Sequence, residues 1–441
     1  MIESEGTLLL LGTSEIKNNE LYIGGVSVSD LKEKFGTPLY IIDQADLEDR
    51  METFVTQFKS DQFETHISYA SKAFTNLYMA GLCKKHGLHI DVVSGGELFV
   101  ALEAGMDPAH IYFHGNNKTA DEIQYALSAG VGTFVIDNIQ ELRWLNQLTK
   151  EMEKQTQALL RINPGIEAST HKYIQTTTND SKFGISTDDE KIHDMIQSLI
   201  DAPHIDFRGF HCHVGSQVTE EKYFFQEAEA IVSFTSTISK RYDIDIKEIN
   251  LGGGFGVQHT PESPSIDFES FLTRYIDVIE ATLQKYKIKP EVISIEPGRS
   301  MINNSGYTLY SVGHVKHTLE GLPLIFVDGG MSDNPRPSLY EAEYHAYLAN
   351  KMENQVSENY RVAGKLCESG DVLIQSIELP AAESGDLLII PASGAYTYSM
   401  SSNYNLMPRP GVVFVKEGQV VEAVKRQSYQ DLIVNQRHYS N

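Results

Sequence analysis

Short runs rich in Val, Ile and Tyr alternate along the chain with amphipathic stretches of helical length, the rhythm of a parallel sheet crossed by helices. The pattern predicts eight strands, at His66–Ser71, Ile90–Ser94, Ile111–His114, Thr133–Asp137, Leu159–Asn163, Phe207–His213, Glu248–Leu251 and Val292–Glu296. Between them Asp188–Ile200 reads as a helix, with Ile192, Ile196, Leu199 and Ile200 on one face and Thr187 with Glu190 as a capping box. Asp267–Lys287 is a second helix of this kind. Eight strand–helix units over roughly 230 residues fit a closed (β/α)8 barrel of TIM type better than an open doubly wound sheet.

After Arg299 the rhythm changes. Tyr307–His317, Leu324–Val327, Arg361–Leu366, Leu387–Ile390 and Val412–Val415 read as strands, and Val412–Ala423 as a hairpin turning at Glu417-Gly418. Pro38–Asp43 is a further apolar run ahead of the eight, and Leu21–Val28 reads as a small strand pair around Gly24-Gly25. The predicted fold is therefore α/β: a barrel over residues 36–306, with a second, discontinuous β-rich domain made of residues 1–35 and 307–441.

Charge narrows the partners. The 441 residues carry 36 Lys+Arg against 60 Asp+Glu, a net charge of −24. Nucleic acid and anionic membrane are recognised through positive charge, so neither is expected. No segment approaches the ~18 apolar residues of a membrane span. Three scattered cysteines, Cys83, Cys212 and Cys367, make no disulfide framework or four-Cys zinc site and predict a reducing cytoplasm. The apolar run Leu8–Leu11 follows Glu3 and Glu5 and is too short for a signal-peptide core.

In a barrel, chemistry collects where strands end, because the loops there converge on one mouth. Here the strand ends read Lys72; Ser94 to Glu97; His114-Gly115-Asn116; Arg161 and Asn163; His213 and Ser216; Gly252 to Gly256; and Glu296-Pro297-Gly298-Arg299. The Gly252–Gly256 run lets backbone N–H groups approach an anion, and its place after strand seven, with Gly298 after strand eight, suits a phosphate. A tightly packed turn is the bland reading of the same glycines. Lys72 closes an apolar strand, where partial desolvation would lower its pKa and make it a Schiff-base nucleophile; a lysine merely reaching solvent is the commoner case.

His211 and His213 fall on one side of a strand by the period of two, half of a metal site, yet no third ligand stands at convincing spacing and no metal is expected. His213 with Ser216 reads equally as a ring that stacks on an aromatic cofactor plus a hydroxyl for its phosphate, and His211 as a hydrogen-bonded core histidine. Glu296 leaves a buried strand and needs a partner: a protonated ring nitrogen, or Arg299 in a structural ion pair.

These residues, with Tyr69 to Ala73, Asp91 to Leu98, His114 to Lys118, Ser181 to Gly184, His213 to Gln217, Glu296 to Ser300, Cys367 to Asp371 and Ser399 to Asn405, closely resemble the diaminopimelate decarboxylase family, pyridoxal-phosphate enzymes of the alanine-racemase-like barrel class. The resemblance covers nearly the whole chain. It implies that Lys72 bears pyridoxal 5'-phosphate covalently, His213 stacks on its pyridine face and Glu296 pairs with the pyridine nitrogen. Ser216, the backbone of Gly253, Gly254, Phe255 and Gly256, and Gly298 would hold the phosphate. It further implies decarboxylation of meso-2,6-diaminopimelate to L-lysine, the last step of lysine biosynthesis. Arg299, Arg336 and Tyr340 would bind the distal carboxylate, Glu368 the distal ammonium, and Tyr396 the cofactor phosphate or the substrate. Cys367 would be the acid that reprotonates the carbanion, contributed with Glu368 by the second subunit of a head-to-tail homodimer, so that active sites are shared.

Ornithine and arginine decarboxylases of this fold usually show Asp after the cysteine, so Cys367-Glu368 favours diaminopimelate. A decarboxylase for another basic amino acid, a pyridoxal-phosphate racemase and a cofactor-free regulator are the competing readings; the last predicts loss of the lysine or cysteine, and both are present. Two positions depart from the family pattern: Thr176-Thr177, where relatives often have Thr-Gly, and Lys365, where proline is common.

Overall fold

A computed structural model describes residues 9–165 and 181–439. They form two compact units, one of Arg50–Val257 with Ser265–Ser300, the other of the chain up to Asp49, Gln258–Pro264, and the chain from Met301 onward.

The first unit is a closed barrel. Its eight strands are Glu64–Ala70, His89–Val92, Ile111–Phe113, Thr133–Ile136, Thr156–Asn163, Ile205–His211, Glu248–Asn250 and Val292–Ile295. Each pairs in parallel with the next, and the eighth closes on the first through Val292↔Glu64 to Ile295↔Ile67. All eight predicted strands are present, with ends shifted by a few residues. The helix after Asn163 begins at Lys191 rather than Asp188, and Glu190 makes no side-chain cap. The Thr187 amide is instead committed to the Asn163 carbonyl at 3.1 Å, so the predicted capping box does not form. Phe268–Tyr286 is flanked by Asp267 and by Lys287, whose left-handed φ of 59° stops the helix.

Polar side chains meet inside the barrel. Tyr112 of the third strand donates to Glu248 of the seventh at 2.7 Å, and Ser294 of the eighth donates to the same carboxylate oxygen at 2.8 Å. Strands three and seven are not neighbours, so these side chains meet through the interior. Polar groups withdrawn from water are stabilised by pairing with one another, as Tyr112, Ser294 and Glu248 do here.

The second unit is built on a sheet ordered Val372–Leu379, Glu358–Ala363, Leu324–Val327, Gly306–Lys316, Leu39–Asp43, Gly411–Lys416 and Gln419–Val424, with Leu387–Ile390 also paired to Gly306–Lys316. Its core includes Ile23, Leu31, Ile41, Leu309, Ile389 and Val413. The boundary differs from the predicted 36–306. Leu39–Asp43 lies between two strands of this sheet, with Ile42 opposite Gly306 and Phe414, so residues 36–49, 258–264 and 301–306 group with the β-rich unit. All five residues of that strand are buried, and an unbroken apolar run fits the middle of any sheet. Val372–Leu379 is a strand that the pattern missed. No helix among the described residues is long and apolar enough to cross a membrane.

Candidate active site

The strand ends of the barrel bring the first set of residues together. Lys72 sits just past the first strand in the turn Ser71–Ala73. Ser71 is buried and donates to the Asp91 carbonyl, fixing the turn, while Lys72 is exposed. The expected desolvated ammonium is therefore not what this chain presents: two residues beyond the strand end, the side chain leaves the apolar layer. Asp91, Glu97 and His213 all feel its charge.

His213 lies two residues past the end of the sixth strand, outside the regular alternation that was expected to align it with His211. Its Nδ1 accepts from the Gly253 amide at 3.1 Å. Burial, and then the positive charge of Lys72, push its pKa well down, so the ring is neutral with its proton on Nε2. A neutral, oriented imidazole presents a flat face.

The Gly252–Gly256 loop needs its glycines for close backbone approach. A Cβ on Gly253 would lie 2.0 Å from the Glu296 carbonyl oxygen, and one on Gly254, at φ +99°, 2.1 Å from that of Gly215. Phe255 anchors the loop against the helices, 4.8 Å from Phe224 and 5.8 Å from Phe271 between ring centres. The amides of Gly252, Gly253, Gly256 and Val257 are bonded to Asn250, His213, Val218 and Gln217. Those of Gly254 and Phe255 make no such bond among the described residues. Arg299 donates to Ser216 Oγ at 3.1 Å, and Gly298 packs against the first strand, where a Cβ would lie 2.9 Å from that of Ala70.

Glu296 has partners other than the expected Arg299. Its Oε1 is 2.8 Å from His114 Nε2 and accepts from Asn250 Nδ2 at 2.8 Å, while Oε2 is bonded to His211 Nε2 at 3.0 Å. Burial alone would raise this carboxyl, but His114 and His211 outweigh it and hold it well below the usual carboxylate range. Burial lowers His211 to about 4 against the pull of Glu296. The ligand-type groups that the spacing did not reveal beside His211 are His114 and Glu296, and the three residues' ligand atoms lie within 4.8 Å of one another. Both imidazoles, however, contact the carboxylate directly.

In the second unit, Arg336 is buried with its Nε unpartnered, and its guanidinium lies 5.5 Å from the Tyr340 ring and 5.6 Å from that of Tyr396. A buried guanidinium edged by two aromatic rings is suited to a carboxylate. Cys367 and Glu368 occupy an exposed turn. Asp371 braces it, accepting from the Leu366 amide at 2.8 Å and the Met331 amide at 2.7 Å, and Ser338 donates to the Gly370 carbonyl at 2.9 Å, tying the turn to the Arg336–Tyr340 helix. The Lys365 amide donates to the Gly329 carbonyl at 3.0 Å, a bond that a proline there would lack. Thr176-Thr177 lies outside the described residues.

Sequence reasoning missed Asn250, and it placed Asp91, Arg161, Asn405 and His114 at strand ends or in motifs without giving them a role. Each of the barrel four is a polar side chain in or directly after an otherwise apolar strand, and that outlier pattern was the available signal. Asp91 Oδ1 is buried without a partner, and burial raises the carboxyl to about 6 despite His114. Arg161 lies 4.6 Å from the Phe183 ring.

These features fit pyridoxal phosphate: two uncommitted loop amides with the nearby Ser216 hydroxyl for a phosphate, a neutral flat imidazole, an ionised carboxylate for a cationic ring nitrogen, and a lysine at the same mouth. The pyridoxal-binding domain of pyridoxal-dependent decarboxylases matches residues 44–303. The diaminopimelate decarboxylase of Bacillus subtilis (strain 168) is 41% identical over 427 residues, covering 97% of both chains. That of Staphylococcus aureus (strain COL) is 41% identical over 420 residues, 95% of this chain and 98% of the relative. The crystal structure of the M. jannaschii diaminopimelate decarboxylase in complex with L-lysine superposes with a TM-score of 0.90 at 34% identity, covering 97% of this chain and 98% of the other. With a fold, a barrel mouth and a full-length match that agree, the chain belongs to the diaminopimelate decarboxylase family of pyridoxal-dependent decarboxylases.

Proposed function

We propose that this chain decarboxylates meso-2,6-diaminopimelate to L-lysine and carbon dioxide with pyridoxal 5'-phosphate as cofactor. The observation that carries the reading is the convergence of Lys72, His213, Ser216, the Gly252–Gly256 loop and Glu296 at one barrel mouth, in a chain that matches diaminopimelate decarboxylases over 97% of both lengths. When bound, the cofactor supplies an electron sink for the carbanion left as carbon dioxide departs.

The chain's own residues do the rest. Lys72 holds the cofactor between turnovers and yields to the substrate amine. Glu296, ionised, keeps a proton at the ring nitrogen, and His213 offers its neutral face to the ring. Ser216, Gly298 and the amides of Gly254 and Phe255 take the phosphate. Arg336, beside Tyr340 and with Arg299, takes the distal carboxylate, and Tyr396 closes the substrate or phosphate contact. Cys367 donates the proton to the α-carbon, and Glu368 receives the distal ammonium. Exposure of the Cys367–Glu368 turn supports its delivery to the site of a second copy, in a homodimer with shared sites. Three free cysteines, two of them buried, support a reducing cytoplasm.

The test is carbon dioxide release by the purified protein, with pyridoxal phosphate, from meso-diaminopimelate beside L-lysine, L-ornithine and L-arginine. Release from diaminopimelate alone is expected. Release from ornithine or arginine instead would overturn the roles of Arg336 and Glu368 while leaving the cofactor assignment.

A further inference from the structure

The surroundings of Glu296 contain more than the proposed reaction requires of them. A carboxylate offers about four lone-pair positions. His114 Nε2 and Asn250 Nδ2 both address Oε1, at 2.8 Å each, and His211 Nε2 addresses Oε2 at 3.0 Å. Asn250 Nδ2 and His211 Nε2 each take one position by a hydrogen bond, His114 Nε2 lies against Oε1 as an ion-pair contact without hydrogen-bond geometry, and a position on Oε2 is left.

The groups come from two strands and the end of a third, and Asn250 and His114 are themselves held. Asn250 Oδ1 accepts from the Gly252 amide at 2.8 Å, which fixes which end of the amide faces Glu296. The His114 amide donates to the Val92 carbonyl at 2.8 Å. Lys118, buried, donates to the Gly115 carbonyl at 3.0 Å and the Val135 carbonyl at 2.7 Å and pairs with buried Glu141, which pins the loop following His114. Asn250, His211 and His114 are 0%, 1% and 4% exposed, so water does not compete for the carboxylate.

We propose that His114, His211 and Asn250 are positioning residues that fix the Glu296 carboxylate in a single orientation and leave one acceptor position on Oε2 for a cationic ring N–H. This rests on the reading that Glu296 serves the cofactor's ring nitrogen. An unheld carboxylate at the same depth would be driven toward its neutral form by burial, and a carboxylic acid cannot keep a ring nitrogen protonated. The low pKa of Glu296 agrees with the geometry.

The experiment has two arms. In the first, cofactor-free protein is titrated by infrared difference spectroscopy, with Glu296→Gln identifying the Glu296 carboxyl band. His211→Phe, which keeps a ring but removes the donor, should raise the ionisation midpoint by about one pH unit or more. His211→Gln, which restores an N–H, should return most of the shift. Asn250→Ser carries the same measurement if His211→Phe does not fold. A midpoint unchanged in these variants overturns the proposal. In the second arm, loaded His211→Phe should lose about tenfold or more in kcat with KM within about twofold. If Glu296→Gln keeps its kcat within about twofold of the original, the ring-nitrogen reading falls, whatever the infrared titration shows about the clamp.

Discussion

The backbone amide of Cys367 donates to Asn405 Oδ1 at 2.8 Å, and Asn405 itself is held in a left-handed conformation at φ 52°. A side chain 38 positions away therefore sets where the thiol stands. Asn405→Ala should lower carbon dioxide release several-fold with bound cofactor unchanged. It should cost only about 1 kcal/mol of stability, because the freed amide is exposed to water. Unchanged turnover would show that the turn does not depend on this bond.

Lys72→Ala should abolish the absorbance of lysine-bound cofactor. Persistence of that absorbance after dialysis would remove Lys72 as the attachment point. Cys367→Ala should instead impair turnover while cofactor stays bound, and full turnover would remove it as the acid.

Arg336→Lys keeps the charge but loses the planar fork between the Tyr340 and Tyr396 rings. KM for diaminopimelate should rise about tenfold or more, a loss of about 1.4 kcal/mol in binding, with little change in the bound-cofactor spectrum. Steady-state kinetics would show it.

Glu227 is fully buried on the helix Glu221–Tyr242, and burial raises its pKa well above the ordinary value. The unfolded chain loses this proton near pH 4.3. Above that pH the folded state binds more protons than the unfolded one, so this group's contribution to stability falls as pH rises toward the folded pKa. Glu227→Gln removes the titration. Urea denaturation at pH 5 and pH 8 should show the variant gaining on the original protein as pH rises; a constant difference would mean that Glu227 is ionised in the fold.

A methyl group on Gly364 would lie 2.2 Å from Asp371 Oδ2, the oxygen that accepts from the Leu366 amide. Gly364→Ala should destabilise by about 1–3 kcal/mol through overpacking. It should also lower turnover by shifting the Cys367 turn, checked by melting temperature and carbon dioxide release on the same preparation.

Much of this was legible along the chain. The eight barrel strands follow from the alternation of β-rich runs with amphipathic stretches, since burial on both faces demands near-continuous apolar sequence whatever the details of packing. Lys72, His213, Ser216, the glycine loop and Glu296 could be singled out because a polar residue ending an apolar strand is conspicuous. The Cys367–Glu368 turn was found only through its motif, because nothing in an exposed loop's composition betrays a role.

What the sequence by itself determined is the eight barrel strands, the polarity of their ends and the family. Pairing decided the rest. Leu39–Asp43 is apolar throughout, and only its hydrogen bonds to Gly306–Lys316 and Gly411–Lys416 place it in the second sheet. Arg299 was the neighbour in sequence that could pair with Glu296, but the closed ring of strands turns His114, His211 and Asn250 inward around it and sends Arg299 to Ser216. The partner of a buried charge is chosen by which strands face one another across the barrel, a relation between residues as distant as 114 and 296 that periodicity does not encode.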